Sequence, residues 1–378
     1  MTTGRRAEVS GAGFAGLTAA TALAKRGWKV RVHERSPELR TEGAGIVLWG
    51  NSLRVLDKLG ATHDLESRAM RSPAYETRMN NSIKSQEEME GVRWISVTRP
   101  HLFRTLLTAA REAGVEVISG SEIAGATPEG VVTLADGDTI EADLVVGADG
   151  VNSAVRDSLD IPLKRERSRD GITRFLVPRR KADLQRLEPD TEWDNYIDFW
   201  NLEPRVLRVL YVPCNEDEVY IALMAPVDDA QGSRVPIDLD LWTASFPHLA
   251  PILEEAAELP GRYYGYQTTR VDHWTEGRVA IIGDAAHAMC PALAQGAGTA
   301  MQNAWTLAEA ATAASDADLA QALIDWERLE RPYTDRAQDR SQYYADTRQM
   351  AEGSQFQGDI LETALYDPTD PKRHEVAV

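Results

Sequence analysis

The residues best placed to do chemistry are three glycines, Gly11, Gly13 and Gly16, spaced as Gly-x-Gly-x-x-Gly. In that spacing the first permits a tight turn, the second lets backbone approach a pyrophosphate, and the third allows close helix–strand packing. A helix beginning at Phe14 and Ala15 would offer its first N–H groups to the phosphates. Glu34 follows at roughly the 20-residue interval at which a strand-end carboxylate reaches ribose hydroxyls. Taken alone, the pattern also fits a glycine-rich turn without a ligand, or NAD in place of FAD. Two further groups repeat the theme. Gly147-Ala148-Asp149-Gly150 follows an apolar strand, though alone it is an ordinary strand-end turn. Gly283-Asp284-Ala285-Ala286-His287 follows Val279–Ile282, placing Asp284 at a strand's carboxyl end, where α/β folds bind ligands. Pro291 and the run Gln295-Gly296-Ala297-Gly298 lead into another glycine-bearing helix start. His287 reads as structural before it reads as an acid or base.

These groups need elements to hold them. Residues 6–10, 14–26 and 28–34 read as strand, helix and strand, a β-α-β unit of the usual length, about 30 residues. Helices are expected over 51–60, between a capping Asn51 and a stopping Gly60, and over Arg99–Gly114, where Leu102, Leu106, Leu107 and Ala110 share a face. Short strands fill 115–148. From about 168 to 269 the character changes to strand-like runs such as RVLRVLYV and EVYIALMA, suited to a mostly antiparallel sheet walling a pocket. Nucleotide-domain character returns at Gly277, with helices over 297–313 and 317–350. The tail, 354–378, is polar, carries Pro368 and Pro371, and is expected to be loosely attached.

A chain of 378 residues with 43% apolar content suits two interleaved globular units. Its net charge of -18 argues against nucleic acid or an anionic membrane as main partner. A small anionic substrate remains compatible, because a basic pocket can sit inside an acidic protein. Cys214 and Cys290 lack metal-ligand spacing, so no metal and no disulfide framework are expected. Without a signal-like N-terminus or a bilayer-length apolar run, the expected location is the cytoplasm.

Taken in order, the glycine fingerprint with Glu34, then Asp149-Gly150, then Gly283–His287 with Pro291 downstream resemble the group A flavoprotein aromatic monooxygenases. The pattern runs from residue 7 to about residue 310. The resemblance implies an α/β fold. A Rossmann-like FAD-binding domain (1–72, 95–167 and 270–353) would carry a mostly antiparallel substrate domain (73–94 and 168–269) and C-terminal helices. It implies non-covalent FAD, with NADH or NADPH as co-substrate and dioxygen as oxidant. It assigns Gly11, Gly13, Phe14, Ala15 and Gly16 to the FAD pyrophosphate, and Glu34, with Arg35 and Arg40 beside it, to the adenosine end. Arg99 would contact FAD, and Asp149 and Gly150 would serve FAD and the nicotinamide cofactor. Gly283, Asp284, Gly296, Ala297 and Gly298 would flank the ribityl chain and the ring, with Pro291 at the flavin's reactive edge. Many relatives have glycine where this chain has Ala294.

Longer stretches, such as RRAEVSGAGFAGLTAA and GDAAHAMCPALAQGAG, are similar to the pyridine-ring-opening oxygenases of vitamin B6 degradation. Those members imply a small anionic N-heteroaromatic substrate, a 3-hydroxypyridine carboxylate, and a homo-oligomer. They place Arg208 on the substrate carboxylate, with Tyr220, Tyr75 and Tyr266 in the pocket. Arg208 and Tyr220 lie an even number of residues apart around a turn at Asn215-Glu216-Asp217, which would put both on one face. Where those relatives have a tyrosine, this chain has Val47, giving a roomier wall and making a bulkier pyridoxic acid a rival substrate. Three other readings stay open: hydroxylation with the ring kept, a flavin reductase that does not activate oxygen, and a non-catalytic carrier on the same fold.

Overall fold

The computed structural model describes residues 4–39, 43–88, 91–180, 184, 186–187, 191–347 and 364–373. A six-stranded sheet is ordered Thr275–Glu276, Val279–Ile281, Leu144–Gly147, Arg6–Ser10, Lys29–Glu34, Glu116–Ser119, parallel except at its first pair. Leu144–Gly147 and Val279–Ile281 are continuous apolar runs, as expected where helices cover both faces, whereas Arg6–Ser10 buries Glu8 among its apolar residues. Val9, Val145 and Val146 are fully enclosed, and Leu17, Leu23, Ala304 and Leu307 of the covering helices Phe14–Ala24 and Gly296–Ala313 belong to the same core. All three glycine-bearing turns therefore emerge at the carboxyl edge of neighbouring strands.

The second sheet has seven strands, ordered Tyr263–Val271, Leu163–Pro178, Glu218–Pro226, Leu207–Pro213, Tyr196–Asn201, Tyr75–Met79, Ser82–Glu87. Its pairs are antiparallel except that of Tyr196–Asn201 with Tyr75–Met79. Its central strands send alternate side chains to two different layers. Phe175, Val177, Val209, Tyr211, Val219, Ile221 and Leu223 form one buried layer beneath helices Leu239–Ser245 and Ala250–Ala257. The sequence reading had no helices in this region; Pro251 and the short lengths obscure their period, while Asp238 caps the first by accepting from Leu241 N–H at 3.2 Å. The opposite layer, holding Ile172, Tyr220, Ala222, Met224 and Tyr266, turns toward the parallel sheet. There it joins a small antiparallel pair, Gly45–Trp49 with Trp94–Thr98. Gly45 permits that junction, since a Cβ there would lie 2.4 Å from the Tyr220 Cβ and 2.5 Å from the Cys214 sulfur.

The described part of the tail corrects the expectation of loose attachment. Ala364 is buried, and Arg54 donates to the carbonyls of Ala364 (3.0 Å) and Tyr366 (3.2 Å). The Tyr366 ring lies 4.4 Å from that of Tyr333, and Arg373 pairs with Glu309 and Glu330. A polar composition hid these anchors because most are arginine–carbonyl and arginine–carboxylate contacts, joined by a single tyrosine pair and the buried Ala364. Among the described residues no helix is long and apolar enough to cross a membrane.

Candidate active site

Two connected cavities lie at the sheet edge. The first is a cleft of about 460 Å³ lined by Gly11, Gly13, Phe14, Glu34, Arg35, Arg99, Asp149 and Gly150, among others. Gly11 has φ +98°, and a Cβ there would fall 2.5 Å from the Ala148 carbonyl oxygen, so only glycine fits. Gly16 is not on the cleft wall; its missing side chain lets the helix start sit against the Gly11 carbonyl, 2.0 Å from where a Cβ would be. At Gly13 an added Cβ meets nothing within 4 Å, and the helix it opens has neither a side-chain cap nor an acidic first turn. That unopposed positive end beside open space fits the pyrophosphate of FAD.

At the cleft's far end Glu34 is already oriented: its carboxylate accepts from Ala12 N–H (3.1 Å) and Ser36 N–H (2.9 Å). Asp149 caps the short helix Ala154–Ser158, one oxygen accepting from Ala154 N–H (2.8 Å) and Val155 N–H (3.2 Å). Its other oxygen is buried without a partner, as expected for a group facing a ligand. Burial raises the Asp149 carboxyl, and bonds to Ser153 and the helix amides oppose the rise. Arg40 lies outside the described residues.

The second cavity, about 420 Å³, continues from the first across Gly13, Phe14, Arg99, Ala148 and Gly150. Ala15, Gly283, Asp284, Pro291, Gly296 and Ala297 form its nucleotide-domain side; Gly298 packs behind them against Gln295 and Asn51. Asp284 is open to the cavity yet walled in by protein. Burial raises its carboxyl, against the opposing pull of Arg99 and Arg174. Arg99 stands over the Phe14 ring at 4.9 Å, lowered by burial and by the like charge of Arg174. Ala294 holds a left-handed conformation, φ +53°, at the position where relatives have glycine, and the following helix forms regardless.

The sheet side of the cavity is where sequence and structure part. Arg208 and Tyr220 do share a face, but not as direct partners: Arg208 pairs across the hairpin with Met224, and Tyr220 with Val212. The guanidinium of Arg208 is held along one edge by Asp198, Nε to Oδ1 at 2.6 Å and Nη2 to Oδ2 at 2.8 Å, over the Trp200 ring. Tyr75 does not line the cavity. Its ring stacks on Tyr196, centroids 4.7 Å apart, with its hydroxyl 3.3 Å from Asp198, and Tyr196 occupies the wall. Tyr266 and Val47 do line it. Burial raises the hydroxyls of Tyr75, Tyr196 and Tyr266 well above the ordinary tyrosine range, so all three stay protonated near neutrality and donate.

The residue the sequence reading missed is Arg174. It projects into the cavity from Leu163–Pro178 opposite Ala222, among the hydroxyls of Tyr220, Tyr266 and Tyr264. Among the described residues it has no carboxylate within ion-pair distance. Its net rise reflects those tyrosines winning over burial, which pulls the other way and is the largest influence. A signal was present: one arginine inside a mostly apolar stretch of that strand, Ile172-Thr173-Arg174-Phe175-Leu176-Val177. His287 is buried, stacks near Trp274, and lies 3.0 Å from Asn303 Nδ2 through Nε2. Burial lowers it to about 4, so it is neutral and structural.

Comparison with known proteins agrees with this geometry. Residues 7–334 match the FAD binding domain family. A tetrameric form of 2-methyl-3-hydroxypyridine-5-carboxylic acid oxygenase has 52% sequence identity and a TM-score of 0.92, covering 97% of each chain. A probable 2-heptyl-3-hydroxy-4(1H)-quinolone synthase of Rhodococcus erythropolis is 39% identical over 87% of this chain and 85% of that protein. A 6-hydroxynicotinate 3-monooxygenase of Bordetella bronchiseptica is 28% identical over 79% and 80%. The α/β architecture, the FAD cleft and these likenesses together establish that the chain belongs to the group A FAD-dependent aromatic monooxygenases.

Proposed function

We propose that the chain oxygenates and opens the ring of a 3-hydroxypyridine carboxylate such as 2-methyl-3-hydroxypyridine-5-carboxylate, using NADH or NADPH and dioxygen. The observation that carries this reading is Arg174, which among the described residues has no carboxylate within ion-pair distance and lies in a cavity that opens onto the FAD cleft. An enclosed arginine of this kind is best satisfied by an anion arriving with the ligand. The 52% identity to the pyridine oxygenase supports the same substrate class.

Gly11, Gly13 and the Phe14–Ala24 helix start would hold the FAD pyrophosphate, Glu34 and Arg35 its adenosine end, and Asp284 with Gly296 and Ala297 the region near its ring. When bound, FAD supplies the redox chemistry that transfers one oxygen atom of dioxygen to an aromatic ring. The protein's part is positional. Arg174 would bind the substrate carboxylate, sharing it with the free Nη1 of Arg208, whose other nitrogens Asp198 fixes in place. Tyr220 and Tyr266, as donors, would hold the ring oxygen. A 3-hydroxypyridine can carry that oxygen as an anion in its zwitterion, so no side chain need remove a proton. Ile172, Leu210 and Met224 would exclude water from the ring face. Val47 leaves space beside the ring that a larger substituent could fill. As in the tetrameric relative, the chain would assemble into a homo-oligomer.

The test is a product assay under ¹⁸O₂ with FAD-loaded protein, NADH and the pyridine carboxylate. Loss of the pyridine ultraviolet band with one labelled oxygen in an acyclic product is expected. Labelled product that keeps the ring would replace ring opening by hydroxylation, as the name of the hydroxynicotinate relative describes. No substrate-stimulated NADH oxidation would overturn the substrate assignment.

A further inference from the structure

The strand Leu163–Pro178 outruns its neighbour. Residues 170–178 pair with Glu218–Pro226, whereas residues 163–167 pair only with the strand Tyr263–Val271, leaving a two-stranded ribbon. On one side of that ribbon the charges are satisfied: Glu166 pairs with Lys164 (2.5 Å) and Arg270 (3.5 Å), and Ser168 bonds Asp346 (3.0 Å). On the other side stand Arg165, Arg167 and Arg169. All three are exposed and alternate with the more covered Glu166, Ser168 and Asp170; the ladder is irregular between Arg167 and Gly171, and the alternation persists through it. Among the described residues none has a carboxylate within ion-pair distance. In a chain of net charge -18, three adjacent unpaired arginines are a local exception.

Their position is informative. Arg165 donates to the Val151 carbonyl (3.1 Å) and to Asn152 Oδ1 (3.2 Å), and Asn152 lines the dinucleotide cleft. Its cross-strand neighbour Thr269 donates its backbone N–H to the Ala288 carbonyl at 2.9 Å. The residues just beyond, Met289, Pro291 and Ala292, line the substrate cavity. The row thus starts beside both cavities and continues along the exposed side of the strand that further on delivers Ile172 and Arg174 to the substrate cavity.

We propose that Arg165, Arg167 and Arg169 form a docking strip for the pyrophosphate of the dinucleotide reductant, holding it outside while its nicotinamide end reaches toward the cavities. Arginines placed two strand residues apart carry long side chains whose planar guanidinium groups can converge on the two phosphates of a pyrophosphate. The inference rests on the reading that NADH or NADPH reduces this enzyme, so its test avoids turnover. The FAD-saturated holoenzyme is titrated with ADP-ribose, which carries the pyrophosphate and no nicotinamide, at low and at moderate salt. The wild type should bind it more weakly as salt rises. Arg167→Glu/Arg169→Glu should weaken binding at least tenfold and flatten the salt dependence, and Arg167→Gln/Arg169→Gln should weaken it less in the same direction. Arg104→Glu/Arg111→Glu, an equal charge change on the exposed face of helix Arg99–Glu112, should leave binding unchanged. An unchanged bound-flavin spectrum shows that each variant is folded. No ADP-ribose binding by the wild type, wild-type affinity in the Arg167/Arg169 variants, or equal weakening in the control pair would overturn the proposal. If the oxygenase reading fails, labelled product is missing while ADP-ribose binding still depends on the strip.

Discussion

The dinucleotide cleft and the substrate cavity share a wall but are built on opposite principles. The phosphate end of the cleft is made of backbone. Gly11, Gly13 and Gly16 act by lacking side chains, and a helix start supplies the field. The cavity is made of side chains delivered by separate elements: Val47 from one strand pair, Arg174, Tyr196, Arg208, Tyr220 and Tyr266 from five strands of the large sheet, and Pro291 from a loop. A backbone site tolerates almost no change at its glycines, whereas a side-chain site changes ligand by exchanging one residue. A single FAD cleft can therefore serve relatives named for quinolone, hydroxynicotinate and pyridine carboxylate chemistry.

If this contrast holds, changes in the two regions should separate cleanly. The largest effect is expected from Gly11→Ala, which puts a Cβ at φ +98° and 2.5 Å from the Ala148 carbonyl oxygen. The conformational strain alone is roughly 1–3 kcal/mol, so the purified variant should have lost most of its flavin absorbance. Full retention of FAD would break the backbone account of the cleft. Next, Arg174→Gln should leave the flavin spectrum intact and raise KM for the pyridine carboxylate by about 30–150-fold, the worth of a charge-assisted hydrogen bond at roughly 2–3 kcal/mol. Asp198→Asn should act more weakly, because it loosens Arg208 without removing it. Equal effects of the two variants would return the substrate-binding role to Arg208.

Two smaller effects probe the loop that joins the regions. His287 is lowered to about 4 in the folded chain, against roughly 6.5 when unfolded. A depressed histidine contributes stability that is present above the unfolded value and lost as pH falls toward the folded one. Urea unfolding at pH 7 and pH 5 should therefore show an acid loss of which His287→Gln removes about 2 kcal/mol. An unchanged acid loss in the variant would mean that His287 is hydrated. Smallest, Ala294→Gly should relieve the left-handed strain at φ +53° and raise stability by about 0.5 kcal/mol after the entropy glycine gains on unfolding. A fall in unfolding midpoint would show that the Ala294 methyl contributes packing exceeding its strain.

The same contrast explains what the sequence could reveal. Gly11 to Glu34 is one β-α-β unit, so spacing alone reports its geometry, and the strands and helix appear where the pattern put them. Strand parity likewise placed Arg208 and Tyr220 on one face. Parity could not show that Asp198, ten residues before Arg208, takes Nε and Nη2 of its guanidinium, because that depends on which strand lies alongside. Nor could it show Tyr196 standing in front of Tyr75, whose parallel pairing joins segments more than a hundred residues apart. Arg174 escaped because the contrast that marks it, one charge in the mostly buried stretch Ile172–Val177, has meaning only once both faces of that stretch are known to be covered.

The most direct test of the central claim is a titration of the FAD holoenzyme, followed by the bound-flavin absorbance. The ligands are 2-methyl-3-hydroxypyridine-5-carboxylate and its neutral 5-carboxamide. A cavity organised around Arg174 predicts that the carboxylate perturbs the flavin spectrum and binds at least tenfold more tightly than the amide, and that Arg174→Gln abolishes the difference. Equal affinity of the wild type for the two ligands, or a preference that survives in Arg174→Gln, would contradict it.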